Sequence, residues 1–208
     1  MKTDRTLKLK VCGMREAENI TGLIALQPEL IGFIFHEPSA RFCAGKPEVD
    51  IPEEIIRTGV FVNSPLETIL QKKEEFGLSL AQLHGKESPE FCRGVRQHIP
   101  VMKAFNIDYH FDFQVLEAYT GVCDYFLFDA SGPKAGGNGI QFNWDLLQQY
   151  QGKTPFFLSG GLSPDSVDAL REFQHPALVG IDINSGFEVR PGLKNIEKIK
   201  QFKYELSS

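Results

Sequence analysis

Apolar positions follow two alternating rhythms along this chain. Leu7-Lys8-Leu9-Lys10-Val11-Cys12 alternates strictly, so a strand there sends Leu7, Leu9 and Val11 to one face and Lys8, Lys10 and Cys12 to the other. Past Met14 the rhythm lengthens: Ala17, Ile20, Leu23 and Ile24 recur at helical spacing, with Glu16 and Glu18 at the end where the helix dipole favours negative charge. Residues 30–35 then form an almost unbroken apolar run, the pattern of a strand covered on both faces.

The same pair of rhythms returns along the rest of the sequence. It predicts a short helix over 52–58, a strand over 58–63, and a helix capped by Ser64, opened by Pro65 and Glu67 and closed by Gly77. Strands follow over 78–84, 101–105, 125–129, 156–159 and 178–183. Between them lie a helix opened by Ser88-Pro89-Glu90, weaker helices near 113–120 and 143–150, and a helix starting at Ser163-Pro164-Asp165. A glycine-rich loop spans 131–139, and a last helix runs from Leu193 toward Phe202. Parallel strands need a crossover, usually helical, so about eight such units imply one α/β domain over 1–208, a closed (β/α)8 TIM barrel. An open doubly wound sheet is the alternative; the absence of GxGxxG in the first strand-to-helix turn weighs against a dinucleotide-binding form.

Composition narrows the function. The 208 residues are 42% hydrophobic and 24% charged, ordinary for a globular protein. A net charge of -5, without clustered Lys and Arg, argues against nucleic acid as a partner. Cys12, Cys43, Cys92 and Cys123 are scattered with no CxxC and no metal-like spacing, which predicts free thiols, no metal and a reducing cytoplasmic setting. No stretch approaches the roughly 20 apolar residues that span a bilayer, and no signal-like run follows the start, so neither a membrane nor export is expected.

In barrels of this kind the chemistry gathers at the C-terminal ends of the strands. Those ends carry Cys12, Arg41, Asn63, Gln82, His84, Asp129, Ser159-Gly160-Gly161 and Asp182-Ile183-Asn184-Ser185-Gly186. A lone cysteine is as readily a small buried hydrophobe as a reactive group. Gly160-Gly161 before the Ser163-Pro164-Asp165 helix start, with Ser185-Gly186 after the eighth strand, offers bare backbone N–H groups where barrels commonly cradle phosphate.

The ordered segments Lys10-Val11-Cys12-Gly13, Ser39-Ala40-Arg41, Gly59-Val60-Phe61-Val62-Asn63, Gln82-Leu83-His84-Gly85, Phe128-Asp129, Gly136-Gly137-Asn138-Gly139, Ser159-Gly160-Gly161-Leu162, Asp182-Ile183-Asn184-Ser185-Gly186-Phe187-Glu188 and Pro191-Gly192-Leu193-Lys194 resemble the phosphoribosylanthranilate isomerases of tryptophan biosynthesis. The chain departs from their pattern at Ala40, where proline is typical, at Phe128-Asp129-Ala130-Ser131, where Leu-Leu-Asp-Thr is usual, and at Asn138, where threonine is. None of these removes a group the chemistry needs.

The resemblance implies an Amadori rearrangement of a small phosphorylated substrate without a cofactor, with Asp129 as the acid and Cys12 as the base. A thiol of ordinary pKa is only about 3% thiolate at neutral pH, so Cys12 needs positive potential, for which Lys10 is placed on the same strand face. Asp129 must instead hold its proton, through burial or a nearby anion such as the substrate brings. Arg41 suits the anthranilate carboxylate, since guanidinium meets carboxylate in a fork. His84 lines the pocket or only hydrogen-bonds within the barrel, and Asp182 positions substrate or serves structure. The 136–139 loop is a cover for the site or only a long connection. Two rivals remain: the histidine-pathway isomerase, which carries aspartate where Cys12 stands, and a barrel that binds a phosphorylated ligand without turnover. A monomer and a homodimer are both compatible with the sequence.

Overall fold

The computed structural model describes residues 7–130 and 144–207. Eight parallel strands close into a barrel in sequence order: β1 (Lys8–Cys12), β2 (Leu30–Ile34), β3 (Ile56–Phe61), β4 (Leu80–Leu83), β5 (Val101–Asn106), β6 (Tyr125–Asp129), β7 (Phe156–Ser159) and β8 (Leu178–Ile183). The seam pairs β1 with β8, Lys10 lying opposite Asp182 and Val11 opposite Ile183.

Alternation separates two cores. Leu9, Val11, Ile31, Phe33, Phe126, Phe128 and Ile181 point outward into the layer that the helices cover. Aromatic rings interlock there, with Phe128 and Phe156 centroids 4.6 Å apart and the Tyr150 ring set edge-on to Phe128 at 5.3 Å. Inside the barrel, Leu30, Leu80, Met102, Ala104, Leu127 and Phe157 form a separate apolar plug. The remaining inward positions are not all apolar: Lys10, Thr58, Gln82 and Asp182 are buried there, and Cys12 packs with Ile34 and Val60. The alternation at the start of the chain therefore separates helix-facing from barrel-facing side chains.

The helices are α1 (Ala17–Ile24), α2 (Leu66–Phe76), α3 (Pro89–Arg96), α4 (Val167–Glu172) and α5 (Ile196–Ser207). Gly77 ends α2 in the left-handed conformation at φ 64°, as its position predicts. Ser64 does not cap that helix: the first bond is from Ile69 N–H to the Pro65 carbonyl, which leaves Ser64 one residue too early. Ser88 does cap α3, accepting from Phe91 N–H, and Ser163 and Ser166 form a reciprocal box before α4.

Four expected helices differ. None forms over 52–58; β3 begins at Ile56, where the chain is drawn into the ladder beside Leu30, and the rest of that crossover runs as turns and irregular chain around Pro38, Pro47 and Pro52. Residues Phe113–Tyr119 and Trp144–Gln149 wind as 3₁₀ helices. Leu193 and Lys194 join a two-stranded antiparallel hairpin, β9 (Glu188–Arg190) and β10 (Leu193–Lys194), so α5 starts at Ile196. The Asn19 side chain fixes this arrangement by bonding both the N–H and the carbonyl of Lys194, as a neighbouring strand would. The glycine-rich loop expected over 131–139 lies outside the described residues. Among those described, no helix is long and apolar enough to cross a membrane.

Candidate active site

Strand β1 places Lys10 and Cys12 on the inner wall. Lys10 is fully buried and its Nζ donates to Asp182 Oδ2 at 2.8 Å, across the β1–β8 seam. Burial pulls the Lys10 ammonium down, but the Asp182 carboxylate and the Cys12 sulfur outweigh it, and the group is held above its ordinary value. Lys10 is therefore a cation inside the barrel. Space for this pair exists because β2 carries Gly32 alongside: a Cβ there would sit 2.9 Å from Cys12 Sγ and 3.3 Å from Lys10 Nζ.

Lys10 favours the Cys12 thiolate, as the sequence suggests, but not by enough to offset burial. Burial pushes the thiol up, and the pull of Lys10 and Lys194 does not reverse it, because the Asp182 carboxylate beside Lys10 cancels part of that positive potential. Cys12 is 4% exposed, and burial holds its thiol above the ordinary value.

Asp129 ends β6 with its side chain on the inward parity, 22% exposed, and its Oδ2 stands 3.6 Å from His84 Nε2. His84 follows β4 directly, and its Nδ1 lies 2.9 Å from Gln82 Nε2. Gly160, just after β7, is required by both space and backbone: its φ is +96°, and a Cβ would sit 2.6 Å from Asp129 Oδ1. The structure thus sets Gly160 against the carboxyl of Asp129. Asp182 feels the charges of Lys10, His84 and Asp129 together, so these groups share one interior.

Gly161 and Ser185-Gly186 are exposed at the same rim. Gly186 presses against the chain after β7, where a Cβ would run into the Leu162 carbonyl oxygen. The loops after β7 and β8 are therefore in contact, with Gly160 and Gly161 on one and Ser185 and Gly186 on the other.

Arg41 is not a solvated loop residue. Its Nε donates to both oxygens of Glu188, at 2.9 and 3.1 Å, and its Nη2 donates to Oε2 at 2.7 Å. Glu188 also accepts from Lys194 Nζ at 2.7 Å and from Gly192 N–H at 2.9 Å. Although burial pushes the Glu188 carboxyl up, these donors bring it down to about 2. Lys194 Nζ also donates to Asn184 Oδ1 at 2.7 Å, and burial holds its ammonium below the ordinary value. Sequence reasoning named Arg41 but missed Glu188 and Lys194 as its supports. Both lie in the segments that carry the family resemblance, and that was the only available signal.

Cys12, His84, Asp129 and Asp182 lie at or next to strand ends, Lys10 two residues deeper in β1, and Arg41, Gly160, Gly161, Ser185 and Gly186 in the loops beyond. Cys12, Lys10 and Asp182 form one buried group, His84, Asp129 and Gly160 a second, and Arg41 stands in a third with Glu188. Among the described residues no three His, Cys, Asp or Glu side chains stand together as metal ligands.

Comparison with known proteins places the chain among its relatives. Residues 9–204 match the family model described as N-(5'phosphoribosyl)anthranilate (PRA) isomerase. A relative in Phocaeicola vulgatus named N-(5'-phosphoribosyl)anthranilate isomerase is 49% identical over 195 residues, covering 93% of this chain and 95% of its own. One of the same name in Parabacteroides distasonis is 45% identical, covering 93% and 90%. A crystal structure of phosphoribosyl anthranilate isomerase in complex with reduced 1-(o-carboxyphenylamino)-1-deoxyribulose 5-phosphate superimposes with a TM-score of 0.79 at 28% identity, over 97% of this chain and 98% of that one. By fold, rim chemistry and relatedness along almost its whole length, the chain belongs to the N-(5'-phosphoribosyl)anthranilate isomerase family.

Proposed function

We propose that this chain isomerises N-(5'-phosphoribosyl)anthranilate to 1-(2-carboxyphenylamino)-1-deoxyribulose 5-phosphate in tryptophan biosynthesis, with Asp129 as acid and Cys12 as base. One observation carries the assignment. Cys12 and Asp129 share the inward parity at the ends of β1 and β6, strands separated by β7 and β8, and the Lys10–Asp182 pair lies between them.

The Asp129 carboxyl delivers its proton to the furanose ring oxygen as the C1–O bond breaks, and the anthranilate nitrogen supplies the electron pair that forms the iminium. Cys12 then takes the C2 proton, and the electrons of that C–H bond neutralise the iminium to give an enolamine. Protonation at C1 and loss of the C2 hydroxyl proton yield the ketone, so the step consumes no oxidant and needs no cofactor. Only the thiolate of Cys12 can take that proton, so the thiol, held above its ordinary value by burial, first gives its own proton to solvent.

Arg41, oriented by Glu188, offers its Nη1 edge to the anthranilate carboxylate. The backbone N–H groups of Gly160, Gly161, Ser185 and Gly186 receive the phosphate on the two touching loops. Lys10 and Asp182 underlie the sugar, and His84 faces Asp129. All four cysteines are buried free thiols, which fits a cytoplasmic enzyme. It would act as a monomer or a homodimer.

Loss of anthranilate-type fluorescence from freshly made substrate tests the reading. Asp129→Asn and Cys12→Ala should each lower kcat on the order of 10²–10⁴ with KM changed little. Full activity in either variant would remove that residue from the chemistry.

A further inference from the structure

We propose that Gln82 is a positioning residue of the acid step: by donating its amide N–H to His84 Nδ1 it fixes the imidazole proton on Nε2, the nitrogen that faces Asp129. This deepens the reading above and rests on Asp129 being the acid.

The geometry is specific. Leu80, Gln82 and His84 share the inward parity of β4, so Gln82 lies one pleat below His84 on the same wall. Gln82 is 1% exposed, and its Nε2 is 2.9 Å from His84 Nδ1. An amide nitrogen can only donate, so Nδ1 accepts and carries no proton of its own. The ring N–H is then on Nε2, 3.6 Å from Asp129 Oδ2. That separation is just beyond hydrogen-bond length, and such contacts tighten when substrate closes the site.

A donor aimed at Oδ2 does little while Asp129 holds its proton and much more once the proton has gone to the ring oxygen. Negative charge then appears on the carboxylate, and the waiting N–H stabilises it. The interaction strengthens along the reaction rather than before it, which is the property that accelerates a step. The opposite tautomer would present a bare nitrogen lone pair to Asp129. It would then compete with the substrate oxygen for the acid proton.

The cost of the arrangement is also visible. Gln82 Oε1 is buried without a hydrogen-bond partner, as is Thr58 Oγ1 on the inward side of neighbouring β3.

The experiment uses the full chain with ¹⁵N-labelled histidine, and His84→Asn to assign the His84 ring resonances. In the wild-type protein Nδ1 should resonate in the unprotonated range and Nε2 in the protonated range. A protonated Nδ1 would overturn the proposal without any variant of Gln82 having to fold. Gln82→Glu, which can only accept at that place, should draw the ring proton to Nδ1 and lower kcat about tenfold with KM within about twofold. A reversed tautomer with unchanged kcat would equally overturn it. Asp129→Asn reports separately on the acid itself, so failure of the tautomer and failure of the acid assignment give different results.

Discussion

Glu188→Gln is the most informative single change, because its effect can be worked out from the structure. The carboxylate is 6% exposed and holds Arg41, Lys194 and the Gly192 N–H at once. Glutamine keeps the shape but removes the charge, leaving the Lys194 ammonium buried with no counterion. The fall of the Glu188 carboxyl from 4.5 to about 2 corresponds to about 3 kcal/mol of folding stability. The loss of one partner from other buried ion pairs costs a similar amount. With a urea m value of about 2 kcal/mol/M, the unfolding midpoint should drop by roughly 1.5 M near neutral pH.

The sign of the pH dependence is fixed. A carboxyl depressed in the folded state stabilises fully above its unfolded value, and that stability fades as pH falls from 4.5 toward about 2. The gap between the wild type and Glu188→Gln should therefore narrow across that window. Added salt should change it little, since the group is shielded from solvent. Urea titrations followed by circular dichroism at neutral pH and at about pH 3 would check both features. A loss below about 1 kcal/mol near neutrality, or a gap that stays constant into acid, would refute the reasoning.

Other changes probe the remaining parts of the site. With Cys12 as the proposed base, its thiol is held by burial above the ordinary 9.0, so kcat/KM should still be rising at that pH. Stopped assays across alkaline buffers would show it, and a plateau near neutrality would contradict it. Lys10→Met should cost about 3 kcal/mol by leaving the Asp182 carboxyl buried alone. Burial already raises Asp182 above 3.8, so the deficit should grow as pH climbs and the acid must ionise; denaturation midpoints at acidic and alkaline pH would measure it. Gly160→Ala places a methyl 2.6 Å from Asp129 Oδ1, and kcat should fall about 10²-fold while the circular dichroism spectrum stays that of the wild type.

The strands were the legible part of the sequence. Residues 125–129, 156–159 and 178–183 read as continuous apolar runs and form β6, β7 and β8 with those bounds, because a strand covered on both faces leaves an unmistakable local pattern. In the crossover only 52–58 was not legible as non-helical, since Pro52 also suits a helix start and the pull of the β2 ladder on Ile56 is a long-range effect. Ser64 failed as a cap for a smaller reason, a shift of one residue that no local signal encodes.

At the site, residue types and strand ends were readable, but pairings were not. The place of Lys10 on the Cys12 face followed from alternation, whereas its bond to a carboxylate 172 residues away depended on barrel closure. Arg41 looked available because Glu188 is 147 residues further on, in a hairpin too short to have a period. Glycine at 160 suggested a turn; its contact with Asp129 required two strands to be set side by side.

The β1–β8 seam has a consequence for how the enzyme is made. Strand β1 carries the proposed base, yet its edge partner and the counterion of its lysine follow only 172 residues later in translation. Until then Lys10 has no carboxylate to enter the barrel with, and an unpaired ammonium stays in water. A chain stalled or clipped before β8 should consequently be inert rather than partly active.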